Sequence, residues 1–196
     1  MVQARGFKSR LIMDFETVFG QDPAVPAGRI MPFNSNGIKS SQNLNDPGAI
    51  VGTRNPVQPF LGNINVDGDI VVPVDLRAFG WWLKAMFGDP STTGAESPYS
   101  HLFKIGDSQP SLVLEKQFPD LSKYSKFNGC KVSSFEMSFG GDGELTASMG
   151  FMGARETLGD SPLDADPASI SFSRFNNYQA SLQEGGLDIA NVVDGS

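Results

Sequence analysis

Gly62-Asn-Ile-Asn-Val-Asp-Gly-Asp-Ile-Val-Val-Pro-Val-Asp-Leu-Arg-Ala-Phe-Gly-Trp-Trp-Leu-Lys-Ala-Met-Phe-Gly88 is the stretch whose reading decides the fold. Polar and apolar residues alternate from Asn63 to Val66, the period of a half-buried strand. Asp67-Gly68 is a favoured two-residue turn because both residues tolerate positive φ, so a hairpin is expected here. Ile70, Val71 and Val72 continue as a β-branched strand up to Pro73, which has no N–H for a sheet ladder. Asp75 stands where a helix N-cap belongs. Leu76, Phe79, Leu83 and Phe87 then fall on one apolar helical stripe that stops at Gly88, with Arg77, Trp81 and Lys84 on the other face. The expectation is a helix over about 75–87 that plugs one open side of a β core through that stripe.

Outward from this stretch the pattern is β on both sides. Phe7–Phe15 reads as a first strand. Residues 20–60 are rich in Pro, Asn, Gly and Ser, with short strand-like pieces at Arg29–Phe33 and Gly37–Ser40. A connection this long is rare in a compact domain unless it has a task, so an arm that reaches a neighbouring subunit is one reading and a meandering surface loop the other. Leu102–Ile105 and Ser111–Phe118 are further strands. The clearest hairpin is Lys131–Phe139 with Glu144–Met152 across Gly140-Gly-Asp-Gly143, where Phe135, Met137 and Phe139 share a face and Leu145, Ala147, Met149 and Phe151 can meet them. Beyond Gly153 the pattern loosens into an acidic loop over Leu158–Ser169 and a short strand at Ser169–Phe175. The fold expected is mainly β: an antiparallel β-sandwich or β-barrel with one flanking helix. Its domain should cover 1–155, arm included. Residues 156–196 should form an acidic C-terminal extension, either the start of further strands or the stub of a second part.

Composition narrows the function. The 196 residues include 39% hydrophobic and 19% charged side chains, a composition that folds around a core. No run approaches the ~20 apolar residues that a membrane helix needs, and the first ten residues lack the apolar region of a signal peptide. Cys130 is the only cysteine, which excludes an intrachain disulfide framework and fits synthesis in a reducing cytoplasm. Net charge is −7, and residues 127–196 hold ten acidic against three basic side chains. Phosphate gripping needs clustered Lys and Arg, so nucleic-acid binding is disfavoured.

Chemistry-bearing constellations are sparse. His101 is the only histidine, which rules out zinc sites built on two or more histidines. A Cys130/His101 nucleophile pair is one reading; packing for Cys130 and a structural hydrogen bond for His101 is the other, and the simpler one. Asp67-Gly-Asp69 and Asp164-Ala-Asp166 lack the rest of a calcium loop and read as turn chemistry. Trp81 and Trp82 are about 100° apart on a helix, so they cannot form one flat platform; one should face the core and the other be partly covered. No catalytic, cofactor-binding or metal-binding set is expected, and no cofactor.

In chain order, Gly52-Thr-Arg54-Asn-Pro56, Pro59-x-x-Gly62, the 62–88 stretch, Tyr99-Ser-His101-x-Phe103, Pro110-Ser-Leu-Val-Leu-Glu115 and Asn128-Gly-Cys-Lys131-Val132 make a series that resembles the bacteriophage tail tube proteins of long-tailed phages. The resemblance implies a structural subunit of the virion tail that assembles into six-membered rings stacked as a hollow tube. It further implies a tape-measure protein inside, tail-tip and terminator proteins at the ends, and DNA passing through without specific binding. It implies a negative inner wall, for which Glu136, Asp142 and Glu144 are the candidates. A surface-binding or head-decoration β module is the alternative reading, and a hydrolase built on paired carboxylates a more distant one.

Overall fold

A computed structural model of the chain describes residues 4–55, 57–96, 99–140, 143–173, 175, 183–184, 187–188 and 194–195. One mostly antiparallel sheet runs through it in the order β12-β2-β1-β8-β9-β10-β5-β3, with β11 on β9 and β4 on β5. Its strands are β1 (Arg10–Phe15), β2 (Arg29–Met31), β3 (Ser35–Asn36), β4 (Lys39–Asn45), β5 (Phe60–Pro73), β8 (Leu112–Phe118), β9 (Lys123–Gly140), β10 (Thr146–Gly153), β11 (Arg155–Gly159) and β12 (Ala168–Ser169). A separate ribbon pairs β6 (Ser91–Thr93) with β7 (Ser100–Leu102), and α1 (Phe79–Phe87) is the α-helix of the described residues. The sheet does not close on itself. The mainly β fold with one flanking helix is therefore as expected.

β9 makes the architecture. Its first half pairs with β8 and its second half with β10, and each ladder contains one register shift: one opposite Leu112–Leu114 and one opposite Gly150–Phe151. Gly129, with φ 66°, occupies the first, where an added Cβ would lie 2.7 Å from the Ala154 Cβ. An extra residue at each shift bends the strand, so it carries the chain from one half of the sheet (β2, β1, β8) to the other (β10, β5, β3). Leu11, Met13, Leu112, Leu114 and Phe127 from the first half share one core with Val66, Ile70, Val72, Ala147, Met149 and Phe151 from the second. The second shift also turns Val132 towards that core, although simple alternation assigns it to the polar face.

Four expectations need correction. Asp67-Gly68 is not a turn: β5 is one fourteen-residue strand, continuously paired to β10 from Val66 to Pro73. Gly68 is required for another reason. Its φ is 144°, and a Cβ there would lie 2.5 Å from the Gly37 carbonyl oxygen and 2.6 Å from Ile38 Cα, so glycine admits a crossing backbone rather than a reversal.

The helix begins at Phe79, not at 75. Asp75 still does what its position suggested, accepting from the backbone N–H groups of Arg77 (3.1 Å), Ala78 (2.8 Å) and Phe79 (3.0 Å) across a preceding turn. The buried helical face is Ala78, Trp82 and Ala85, and the stripe proposed for that role is displaced from it. Leu76 is 64% exposed, and Phe79, Leu83 and Phe87 are only half-buried in the subunit. Trp82 faces the core, while Trp81 is half-covered by Phe15 and by the Arg29 guanidinium, 3.7 Å from its ring centre.

The boundary expected at 155/156 cuts β11, which pairs with β9 from Asn128 to Tyr124. The chain then forms a strap over the outer face of the β1–β8 half. The Leu163 N–H donates to Glu115 Oε2 (2.9 Å), Asp164 Oδ2 accepts from the Gly28 N–H (2.9 Å), and β12 pairs in parallel with β2. Beneath the strap Ile12, Val113 and Glu115 are fully buried. Residues 156–170 are thus integral to the sheet.

Candidate assembly surfaces

The long segment expected at 20–60 contains β2 and β3 of the main sheet as well as β4 of the arm. Residues 16–22 are clamped to the bend of β9: Glu16 accepts from the N–H groups of Gly20 (2.8 Å) and Gly129 (2.7 Å), and Asp22 accepts from Asn128 Nδ2 (2.9 Å) and pairs with Lys126. Burial opposes the Asp22 charge, but Lys126 and Asn128 outweigh it and hold the carboxyl below its usual value. Further on, β4 and the outer part of β5 form a ribbon that runs from the body as an arm.

The arm differs from the body in what covers it. Cross-strand partners share a face, so the pairs Ser40↔Val66, Gln42↔Ile64 and Leu44↔Leu61 lie in one row, with a bulge between the last two. Val66 belongs to the core. Beyond it the same row continues as Ile64, Leu61 and Leu44, which are 54%, 65% and 64% exposed. The apolar face of β5 therefore runs out of the core onto the arm with nothing among the described residues to bury it, a feature that marks interaction surfaces.

The base of the arm is fastened. Glu156 on β11 accepts hydrogen bonds from Ser40 on β4 and Ser125 on β9, and Lys116 donates from Nζ to the Ile38 carbonyl. Burial lowers the Lys116 pKa, against the attraction of Glu156. These polar side chains bridge the seam where the sheet fails to close by backbone pairing.

The outer face of the β9–β10–β5 half is bare and polar. Glu136↔Ser148↔Val71↔Ser35 form one cross-sheet row and Ser134↔Gly150↔Asp69 the next. Glu136 and Asp69 are both exposed on this face. Asp69 was missed by sequence reading because Asp67-Gly-Asp69 looked like a turn. Glu144 is half-buried at the rim, where its Oε2 accepts from Asn34 Nδ2 (3.0 Å). Asp142 lies outside the described residues.

The remaining chemistry-bearing residues are structural. Cys130 is fully buried, its thiol pushed up to about 12 by burial and by Glu16, whereas His101 is exposed on β7 with its Nδ1 2.8 Å from Thr92 Oγ1. The two are not brought together. Asp164 caps its own turn, accepting from the Asp166 N–H (2.9 Å). Among the described residues no three His, Cys, Asp or Glu side chains gather as metal ligands, and no helix is long and apolar enough to cross a membrane.

Compared with known families, residues 6–196 match the family described as phage tail tube protein. The chain belongs to that family. The tail tube family is structural and non-enzymatic, so this tail tube protein is a component of the virion tail and the hydrolase reading falls away. No curated protein matches the chain by sequence. Solved structures with a similar fold include the SPP1 tail tube, at 11% identity over 83% of this chain and 81% of that one, with a TM-score of 0.49. The sheath/tube terminator of the PVC extracellular contractile injection system is 10% identical over 81% and 98% of the two chains, with a TM-score of 0.49. A chain of the anti-feeding prophage baseplate is 9% identical over 81% and 96%, again at 0.49. The family match, not these distant likenesses, carries the assignment of this tail tube protein.

Proposed function

We propose that this tail tube protein assembles into stacked, six-membered rings that enclose a conduit for DNA, with the bare face of β9, β10 and β5 as the wall of the channel. The supporting observation is the difference between the two outer faces of the sheet. One is covered by the 160–170 strap and holds buried apolar residues; the other carries mainly Ser, Thr and Gly with the exposed acids Asp69 and Glu136, alongside Val71, Met152 and Lys131. Small polar side chains offer a passing polyanion little to adhere to. Repeated carboxylates repel phosphate, although salt screens each beyond ~10 Å. Glu144 at the rim is a weaker candidate for the wall. The open edges and the exposed arm suit ring closure and stacking, since unpaired edges and bare apolar rows call for partners. On this reading a tape-measure protein occupies the channel during assembly, and tail-tip and terminator proteins close its ends.

Electron microscopy of the purified protein tests the assembly: rings or tubes are expected, and a persistent monomer at high concentration would sink it. The wall is tested by Asp69→Lys with Glu136→Lys in an assembled tail. Slowed ejection from intact tubes is expected, while normal ejection removes both residues from the wall.

A further inference from the structure

Helix α1 has more apolar surface than the described residues of its own subunit cover. Ala78, Trp82 and Ala85 face the core, yet Phe79, Leu83 and Phe87 form a second row, continued by Leu76 in the turn before the helix, and of these Phe79 also packs against the core and Phe135. Successive helical residues are ~100° apart, so Leu83 points well away from Trp82, its neighbour in sequence. Leu76 is 64% exposed and the other three keep part of their surface free. A helix that is apolar on most sides is normally enclosed, and among the described residues this one is fully buried only along Ala78, Trp82 and Ala85.

The arm presents the second uncovered apolar row, Leu44, Leu61 and Ile64. The two rows differ in shape, one helical and one flat, and opposite charges beside them, Arg77 and Asp46, favour the mixed contact over the meeting of like with like. Contact between two different patches of identical subunits generates rings or open helical stacks. Charge fixes a polarity. Arg77 adjoins Leu76 at the start of the helical row, and Asp46 follows β4 two residues after Leu44. Both are exposed, and neither side chain has a partner among the described residues.

We propose that the apolar row of α1 is the seat for the β4–β5 arm of a second copy of this chain, oriented so that Asp46 of the arm meets Arg77 of the helix. The inference rests on the assembly reading above and adds to it which two surfaces join. Six or seven apolar side chains bury far less than the ~1,200 Å² of a stable pairwise interface. The contact is therefore weak singly and holds only when repeated.

The test uses the full chain with Leu76→Cys, carrying a thiol-linked photoreactive label; Cys130 is fully buried and stays unlabelled. After assembly and irradiation, peptide mapping should find the label on residues 40–66 of another subunit, shown to be intermolecular by mixing labelled chains with isotopically marked unlabelled ones. Label on this chain's own residues 176–193, or on any other surface, overturns the proposal while leaving the tubes themselves as evidence for assembly. In parallel, Asp46→Arg and Arg77→Asp should each raise the critical concentration for tube formation several-fold, and the double exchange should restore it. Double-variant tubes no better than the singles would equally overturn it. If the unmodified protein forms no tubes at all, the failure lies with the assembly reading instead.

Discussion

The two ends of β5 share a strand and differ in everything that surrounds it. From Val66 to Pro73 it lies between β10 and the short β3, with Val66, Ile70 and Val72 buried against the other half of the sheet. From Phe60 to Asn65 its pairing partner among the described residues is β4, and Leu61 and Ile64 stand more than half exposed. The backbone ladder continues through both. Hydrogen bonding alone therefore does not make the body stable, since a bare two-stranded ribbon is marginal in water. What the body adds is a second layer over its apolar face, and what the arm lacks within one subunit is that layer.

The sharpest break of this contrast is removal of the body's largest buried group. Trp82→Ala should cost about 3–5 kcal/mol in urea unfolding, as large-to-small core changes do. A loss below about 1 kcal/mol would mean that the helix is not part of the core. Next, Gly68→Ala should cost roughly 2–3 kcal/mol, because its backbone conformation disfavours a side chain and the added Cβ meets Gly37 and Ile38 backbone. A neutral result would show that the crossing can shift. Asp75→Ala should lower stability by about 1–2 kcal/mol, with the loss of three backbone acceptor contacts at the helix start. On the arm, Leu61→Ser and Ile64→Ser should change unfolding by less than about 0.5 kcal/mol, as exposed positions do, while abolishing tubes in the microscope. Strong destabilisation of the monomer would place these residues in the core and end the distinction.

The smallest expected effect is a pH dependence of the body. Burial raises the Glu115 pKa, only partly offset by the hydrogen bonds from Gln117 and Leu163. The folded state thus binds that proton more tightly than the unfolded one. Its contribution to stability is greatest below the unfolded value of 4.5 and declines as pH rises through the raised folded value. Glu115→Gln should flatten this decline in urea midpoints taken across pH 4–7, and an unchanged slope would assign it to other groups.

The same contrast explains what could be read from the residues. The Lys131–Phe139 hairpin showed plainly because a half-buried strand imprints its period on the sequence, and Ser111–Phe118 because a short apolar run bounded by turn residues marks a strand buried on both faces. In β5 the alternation of Asn63–Val66 was legible, but Phe60–Gly62 has no covering layer and reads as loop, and Asp67-Gly68, inside the covered part, looks like a turn because both residues tolerate positive φ. Whether a glycine reverses the chain or admits a crossing one depends on Gly37, thirty-one residues earlier, which no local signal reveals. The helix showed its apolar row but not its contact face, because α1 is apolar on more than one side. The strap was invisible for a similar reason: Leu163 and Asp164 act through backbone and turn contacts with Glu115 and Gly28. Of the proposed wall, Glu136 was legible from strand alternation, whereas Asp69 required the register of β5 on β10.

The side-chain bridge at the seam, with Glu156 holding Ser40 and Ser125 and Lys116 holding Ile38, has a thermodynamic consequence for the arm. A segment that swings freely surrenders its conformational entropy each time it docks, roughly 1–2 kcal/mol per residue ordered. A ribbon anchored at its root has already given up most of that freedom when the chain folds. The free energy released on docking is then reserved for the contact itself, so a few aliphatic side chains are enough to hold it.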